Sequence, residues 1–204
     1  MSSRGWPVVA AAASAAILAG CSFVRADAPT PVSLDAWSDL PLPPSADLTQ
    51  HALGPDSPCI VTDEPGPQPL RLLVQDRHLQ DSAAFFIASP AHFCSATLSA
   101  FGSSSGIGPP LEPTNEALKI DDRGGGTIGD RFVEQLGGRV SVSASQVVVR
   151  FGDGRAVTAS VANGYWLASW PKAEALPVRV VALDAIGLEV ASVNVPVPGE
   201  PIEP

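Results

Sequence analysis

The sequence predicts an all-β fold, a small antiparallel sandwich or barrel-like domain that follows a signal peptide and a proline-rich tether. Two observations carry the fold class. Residues 146–151, 155–161 and 165–170 are short runs rich in β-branched and aromatic side chains, joined by Gly152-Asp153-Gly154 and Asn163-Gly164. Such turns supply the positive φ angles that two-residue hairpins need. The period is also two: Val147, Val149 and Phe151 share one face of their run, and Val157, Ala159 and Val161 share one face of theirs.

The chain does not begin with that domain. Its 204 residues are 45% hydrophobic and 16% charged, with 21 prolines, 18 glycines and three cysteines, which is too few charges for an ordinary cytoplasmic enzyme. Residues 1–20 carry one charged side chain, Arg4, ahead of an uncharged apolar run from Pro7 to Gly20. That run is shorter than the ~20 residues that cross a bilayer as a helix, and small residues close it, as in an export signal.

Leu18-Ala19-Gly20-Cys21 resembles the lipobox of bacterial lipoproteins. The resemblance implies cleavage before Cys21, a diacylglycerol on its sulfur and acylation of the new amino terminus, hence a membrane partner reached through lipid. Two or more acyl chains are what make such anchoring stable. The alternatives are an ordinary secreted protein cut near residue 26 and a chance cysteine. Ser22 offers no acidic retention signal, which favours the outer membrane in a cell that has one. The Ala, Pro, Gly and Val bias with two lysines, Lys119 and Lys172, suits a GC-rich genome such as an actinobacterial one, where the address is the outer face of the cell membrane.

Without residues 1–20 the chain holds eleven Lys plus Arg against 21 Asp plus Glu, a formal balance of −10. This argues against nucleic-acid binding, which needs a basic footprint. Two cysteines remain, Cys59 and Cys94, in a compartment that permits oxidation; a disulfide between them competes with two free thiols. Residues 21–68 read as an acidic tether, with prolines at 29, 31, 41, 43, 44, 55, 58, 65 and 67. Within it Leu34, Trp37 and Leu40 have the spacing of one helical turn against the body.

The β domain is expected over 69–195, with a disordered tail over 196–204. Residues 70–76, 82–88 and 92–98 read as three strands separated by turns at 77–81 and Ser89-Pro90, an antiparallel meander. Residues 101–129, with Gly-Ser-Ser-Ser-Gly and three consecutive glycines, read as loop, and 130–136 as a short helix or strand. After the three strands of the last third, Pro171 ends the run, and 178–183 and 188–192 form a further hairpin around Asp184 to Gly187.

Asp153-Gly154-Arg155, Asn163-Gly164, Tyr165-Trp166, Trp170-Pro171 and the Asp184–Gly187 turn together resemble the C-terminal portions of extracytoplasmic proteins of actinobacteria, several of them lipoproteins. The resemblance extends over about 70–192 and is best over 145–192; it implies an extracytoplasmic β domain and assigns no catalytic residue. The strand pattern also resembles bacterial immunoglobulin-like modules.

No chemistry-bearing motif stands in the right context. Gly102 to Gly106 matches G-x-S-x-G around Ser104, but Gly108-Pro109-Pro110 breaks any following helix, and His51, His78 and His92 all precede the serine. Gly124 to Gly129 lacks the Lys and Ser/Thr of a phosphate loop. His92 and Cys94 are two ligands without a third, so no zinc is expected. Asp121-Asp122-Arg123 lacks the alternating oxygens of a calcium loop. Asp76, Asp81, Asp153 and Asp184 are scattered, and backbone hydrogen bonding in turns accounts for three of them. Alternation puts Trp166 and Trp170 on one side of a strand and Tyr165 on the other. These aromatics are either the core of a small sandwich or a face that binds a glycan or a protein.

The expected function is a lipid-anchored, extracytoplasmic, non-catalytic module, binding or accessory, without cofactor or metal, whose partner is a cell-envelope protein or glycan. The competing class is an envelope hydrolase, which needs converging carboxylates or a serine–histidine contact in a pocket.

Overall fold

A computed structural model describes residues 37–62, 68–99, 102–111, 114–128, 131–141, 143–172 and 175–197. The expectations for the signal, for Cys21 and for residues 22–36 and 198–204 fall outside these. All described residues belong to one compact unit, Pro31–Pro204.

The fold is all-β and antiparallel throughout. Among the described residues one helix, α1 (Ala46–Leu53), precedes eleven strands: β1 (Arg71–Leu79), β2 (Ser82–Ala88), β3 (Phe93–Ser99), β4 (Gly102–Gly108), β5 (Leu118–Ile128), β6 (Arg131–Val140), β7 (Gln146–Phe151), β8 (Ala156–Ala162), β9 (Tyr165–Pro171), β10 (Pro177–Leu183) and β11 (Glu189–Asn194). They form a four-stranded sheet in the order β1-β2-β3-β4 and a seven-stranded sheet in the order β11-β10-β7-β8-β9-β6-β5.

The larger sheet curls into a half-barrel. Its edges β5 and β11 come into contact, and Arg123 Nη1 donates to the Pro196 carbonyl at 2.8 Å across the seam. The concave side closes on Val147, Val149, Phe151, Trp166, Trp170 and Val180 with their neighbours. The smaller sheet packs outside, where Leu73, Val74, Phe86 and Phe93 meet Leu167. Its far face, Phe85, Ile87, Cys94 and Leu98, is covered by Leu48, Ala52 and Leu53 of α1. The chain is therefore three layers deep at β9, which explains why that strand is buried on both sides.

The hairpins follow from their turns. Asn163 and Gly164 take φ 53° and 79°, the pair of left-handed angles that closes a two-residue hairpin between β8 and β9. The β7-β8-β9 run and the meander of β1, β2 and β3 lie where the sequence places them, except that β1 runs on through residues 77–79, which read as turn in the sequence. Local pattern did not carry the return of β10 to pair with β7, or the docking of β6 on β9.

Two expectations fail, each for a physical reason. Residues 101–129 are not loop: β4 and β5 occupy most of the segment. Gly124, Gly125 and Gly126 remove the side-chain alternation by which a strand is recognised, yet the smallness of Gly126 lets the smaller sheet approach and that of Gly125 lets β6 lie close. A Cβ at Gly126 would run into Ser104 Oγ and lie 3.1 Å from Thr97 Cβ, and one at Gly125 would lie 2.8 Å from the Phe132 ring. Residues 130–136, left between helix and strand, belong largely to β6.

The second failure is the tether. Residues 37–62 pack on the domain, so the acidic, proline-rich composition over 21–68 does not mark a free linker there. Ser45 caps α1, its Oγ accepting from Leu48 N at 3.4 Å, and Asp47 in the first turn suits the positive end of the helix. Leu48 and Ala52, one turn apart, face the sheet. Residues 37–44, the strap, run beside β1: Ser38 N donates to His78 O at 3.2 Å and Leu42 N to Arg77 O at 2.6 Å. Pro41, Pro43 and Pro44 have no N–H, so the strap cannot continue as a full strand.

Candidate functional site

Cys59 and Cys94 form a disulfide, with Cα atoms 5.7 Å apart and a separation of 35 positions in sequence. Both are fully buried under α1. The bond ties the segment that carries α1 to β3. Closing a loop of this length restricts the unfolded chain, so reduction or Cys94→Ser is expected to lower stability by about 2–4 kcal/mol, read as a fall in the thermal midpoint with reductant. An unchanged midpoint would contradict that role.

The aromatic trio does not form a face for a partner. Trp166 is fully buried and Trp170 is 3% exposed, both inside the curled sheet. Trp166 Nε1 donates to the Lys119 carbonyl and Trp170 Nε1 to Glu134 Oε2, each at 3.1 Å. Trp170 meets the edge of Phe151 with centroids 5.2 Å apart. Tyr165, on the opposite side of β9 as alternation requires, is half-buried against the inter-sheet cluster. The concave side of a curled sheet needs large apolar volume, and β9, backed on its outer side by the smaller sheet, supplies it.

The other candidates take structural places. Ser104 sits within β4, opposite Thr97, and not at a strand-to-helix turn. His92 Nε2 lies 2.9 Å from the Cys59 carbonyl oxygen and Nδ1 lies 2.8 Å from Ser89 Oγ. This serine–histidine contact belongs to the β2–β3 turn, where Ser89 Oγ also accepts from Ala91 N and His92 N. Asp121 is paired with Arg139 through two hydrogen bonds of 2.8 and 2.6 Å. Burial raises the Asp122 carboxyl above its ordinary range, although Ser95 and Gln135 hydrogen bonds oppose the shift. Asp153 is held below that range by Arg155, and Asp184 accepts from Ile186 N and Leu188 N within its turn. Among the described residues no group of three or more His, Cys, Asp and Glu is placed to hold a metal, and no helix is long and apolar enough to cross a membrane.

A buried charged constellation is centred on Asp76, which lies inside β1 and not at a turn. Its carboxylate is fully buried. Oδ1 accepts from Ser160 N at 3.2 Å and Ser160 Oγ at 2.8 Å, and Oδ2 accepts from Ser169 Oγ at 2.6 Å. His78 Nε2 lies 3.2 Å from Oδ1, an ionic contact off the line of a directed hydrogen bond. The other ring nitrogen, Nδ1, meets the Ser38 carbonyl. Carboxylate and carbonyl oxygens have no proton to give, so the ring presents an N–H to both neighbours only as an imidazolium. Burial lowers the imidazole pKa, but the hydrogen bond and charge of Asp76, the Ser38 carbonyl and the charge of Asp39 outweigh it, and the net shift is upward.

Arg77, on the other face of β1, is the second buried cation. It is 7% exposed, and its Nη1 and Nη2 donate to the carbonyls of Pro43 at 2.5 Å and Gln80 at 2.6 Å. It lines a solvent-open cavity of about 690 Å³ with Ser45, His51, Asp81 and Ser103. A second groove, about 790 Å³, runs between the strap at Leu42, β1 at Leu73 and Gln75, and Asn163. The sequence offers Asp76 as one of several scattered carboxylates and His78 only as a histidine before Ser104; their pairing is not legible because β1 is buried on both faces, so charged residues at successive positions give no alternation to read.

No protein-family model, curated protein or solved structure matches this chain.

Proposed function

We propose that the chain is a bacterial lipoprotein that displays a non-catalytic β module outside the cell membrane. The observation that carries this reading is Leu18-Ala19-Gly20-Cys21 at the end of a short uncharged run that follows Arg4. The buried Cys59–Cys94 disulfide supports it, because such bonds persist in oxidising compartments outside the cytoplasm. The polar and charged groups of the domain also support a structural use: Asp76, His92 and Arg77 are engaged by backbone and serine hydroxyls. The module then serves as a binding or accessory element for an envelope protein or glycan.

The anchor in this reading stands close to the domain. Cys21 and Trp37 are 16 residues apart, a span of at most about 55 Å of extended chain. The acidic balance repels anionic headgroups, so lipid holds the protein while its body stays in water. Cys21→Ser is expected to lower the membrane-bound, detergent-phase fraction about ten-fold in cells of the source species. Retention of the variant in the detergent phase would remove the anchor from the account.

A further inference from the structure

We propose that His78 is a pH-operated clasp that holds the strap, residues 37–44, on β1 while its ring is protonated and lets the strap go when the proton leaves. The ring lies between two acceptors. A neutral imidazole has one N–H, so it must turn a lone pair towards either the Ser38 carbonyl or Asp76 Oδ1. The full negative charge of Asp76 retains the remaining proton, and the Ser38 carbonyl is the contact given up.

The groups that face the ring are few. From its own strand comes Asp76; from the strap come the Asp39 charge, the Ser38 carbonyl and the Trp37 indole, which stacks on it with centroids 5.4 Å apart and planes 4° from parallel. From β8 and β9 come the Ser160 and Ser169 hydroxyls, both committed to Asp76. The strap's remaining ties are the Ser38 and Leu42 amides on β1, Arg77 on the Pro43 carbonyl, and Thr158 N on the Asp39 carbonyl at 3.0 Å. Docking also buries Trp37 Nε1 without a hydrogen-bond partner, which opposes it. Trp37 also packs against Leu79 and Val133, so packing and backbone bonds share the load, and the His78 contact is the one of these ties that answers to pH.

Release has a built-in stop. Ser45 N donates to Gln75 Oε1 at 2.9 Å, α1 packs on the small sheet, and the disulfide fixes Cys59. Only the eight residues 37–44 can peel away, freeing about 25 Å of chain. That this lengthens the leash to a membrane rests on the anchored reading above; the clasp itself does not.

The sign is fixed by the upward shift of the ring. The clasp's contribution is complete below the unfolded imidazole's value of about 6.5 and is lost as pH rises through the higher folded value. Amide exchange of Ser38 and Leu42 in the full chain, divided by intrinsic rates, is measured from pH 5.5 to 9 beside an NMR titration of His78. Exchange at both amides should rise about ten-fold through the His78 midpoint, with α1 and β2 unchanged. Asp76→Asn should move that midpoint to lower pH, and His78→Phe, where it folds, should make strap exchange independent of pH. Constant protection while His78 loses its proton, or a rise shared equally by α1 and β2, would overturn the clasp. Lipidation of Cys21 does not enter the readout, so failure of the anchor and failure of the clasp give separate results.

Discussion

Trp166→Ala is expected to lower the stability of the domain by about 3–5 kcal/mol, enough to leave much of the chain unfolded at physiological temperature. The side chain is the largest of those that are fully buried and lies inside the curl with Leu136, Val149 and Val180. The seven-stranded sheet wraps around that volume, and a hydrogen-bonded ladder cannot collapse freely into the cavity that truncation leaves. The Lys119 carbonyl would also lose its indole donor. Trp166→Phe keeps most of the volume and should cost well under half as much. Urea unfolding of the two variants measures both values, and a loss below about 1 kcal/mol for the alanine variant would mean that the indole does not support the core.

Asp76→Ala should be of similar size, about 3–5 kcal/mol, through a different mechanism. Removing the carboxylate leaves the His78 imidazolium buried without its counter-charge and strips an acceptor from the hydroxyls of Ser160 and Ser169 and from Ser160 N. These groups belong to β1, β8 and β9, so the damage falls on the junction between the sheets. Each unpaired donor keeps its desolvation cost, which is why deleting one partner is worse than never having built the network. Asp76→Asn, which keeps one acceptor oxygen, should be milder. The measurement is chemical denaturation near pH 6, where the ring is charged in both states of the linkage, and an alanine variant as stable as the parent would show that the carboxylate is dispensable.

Much of this architecture was legible because strands announce themselves by alternation and their turns by Gly, Asn and Asp. The β7-β8-β9 run and the β10–β11 hairpin meet both conditions. β4 and β5 do not: Gly102-Ser-Ser-Ser-Gly106 and Gly124 to Gly126 carry no apolar period, because β4 is an edge strand and Gly126 lies where the smaller sheet comes close. The strap was hidden for another reason. Its prolines and acidic residues describe a linker, while what holds it are backbone carbonyls bound by His78 and Arg77, more than 30 residues further along the chain. Trp37 gave a partial signal, its spacing with Leu34 and Leu40, which suggests contact with the body of the domain. The choice between core and binding face for Trp166 and Trp170 could not be made from alternation alone, since alternation says which residues share a side and not what covers it.

The proposed anchored function rests on acylation of Cys21, at the end of Leu18-Ala19-Gly20-Cys21. Mass spectrometry of the N-terminal peptide, taken from protein extracted from native membranes, tests that claim most directly. The account predicts a chain that begins at Cys21 and carries diacylglycerol on its sulfur, with residues 1–20 gone. A mature chain that begins near residue 26, or a Cys21 found unmodified, would contradict it.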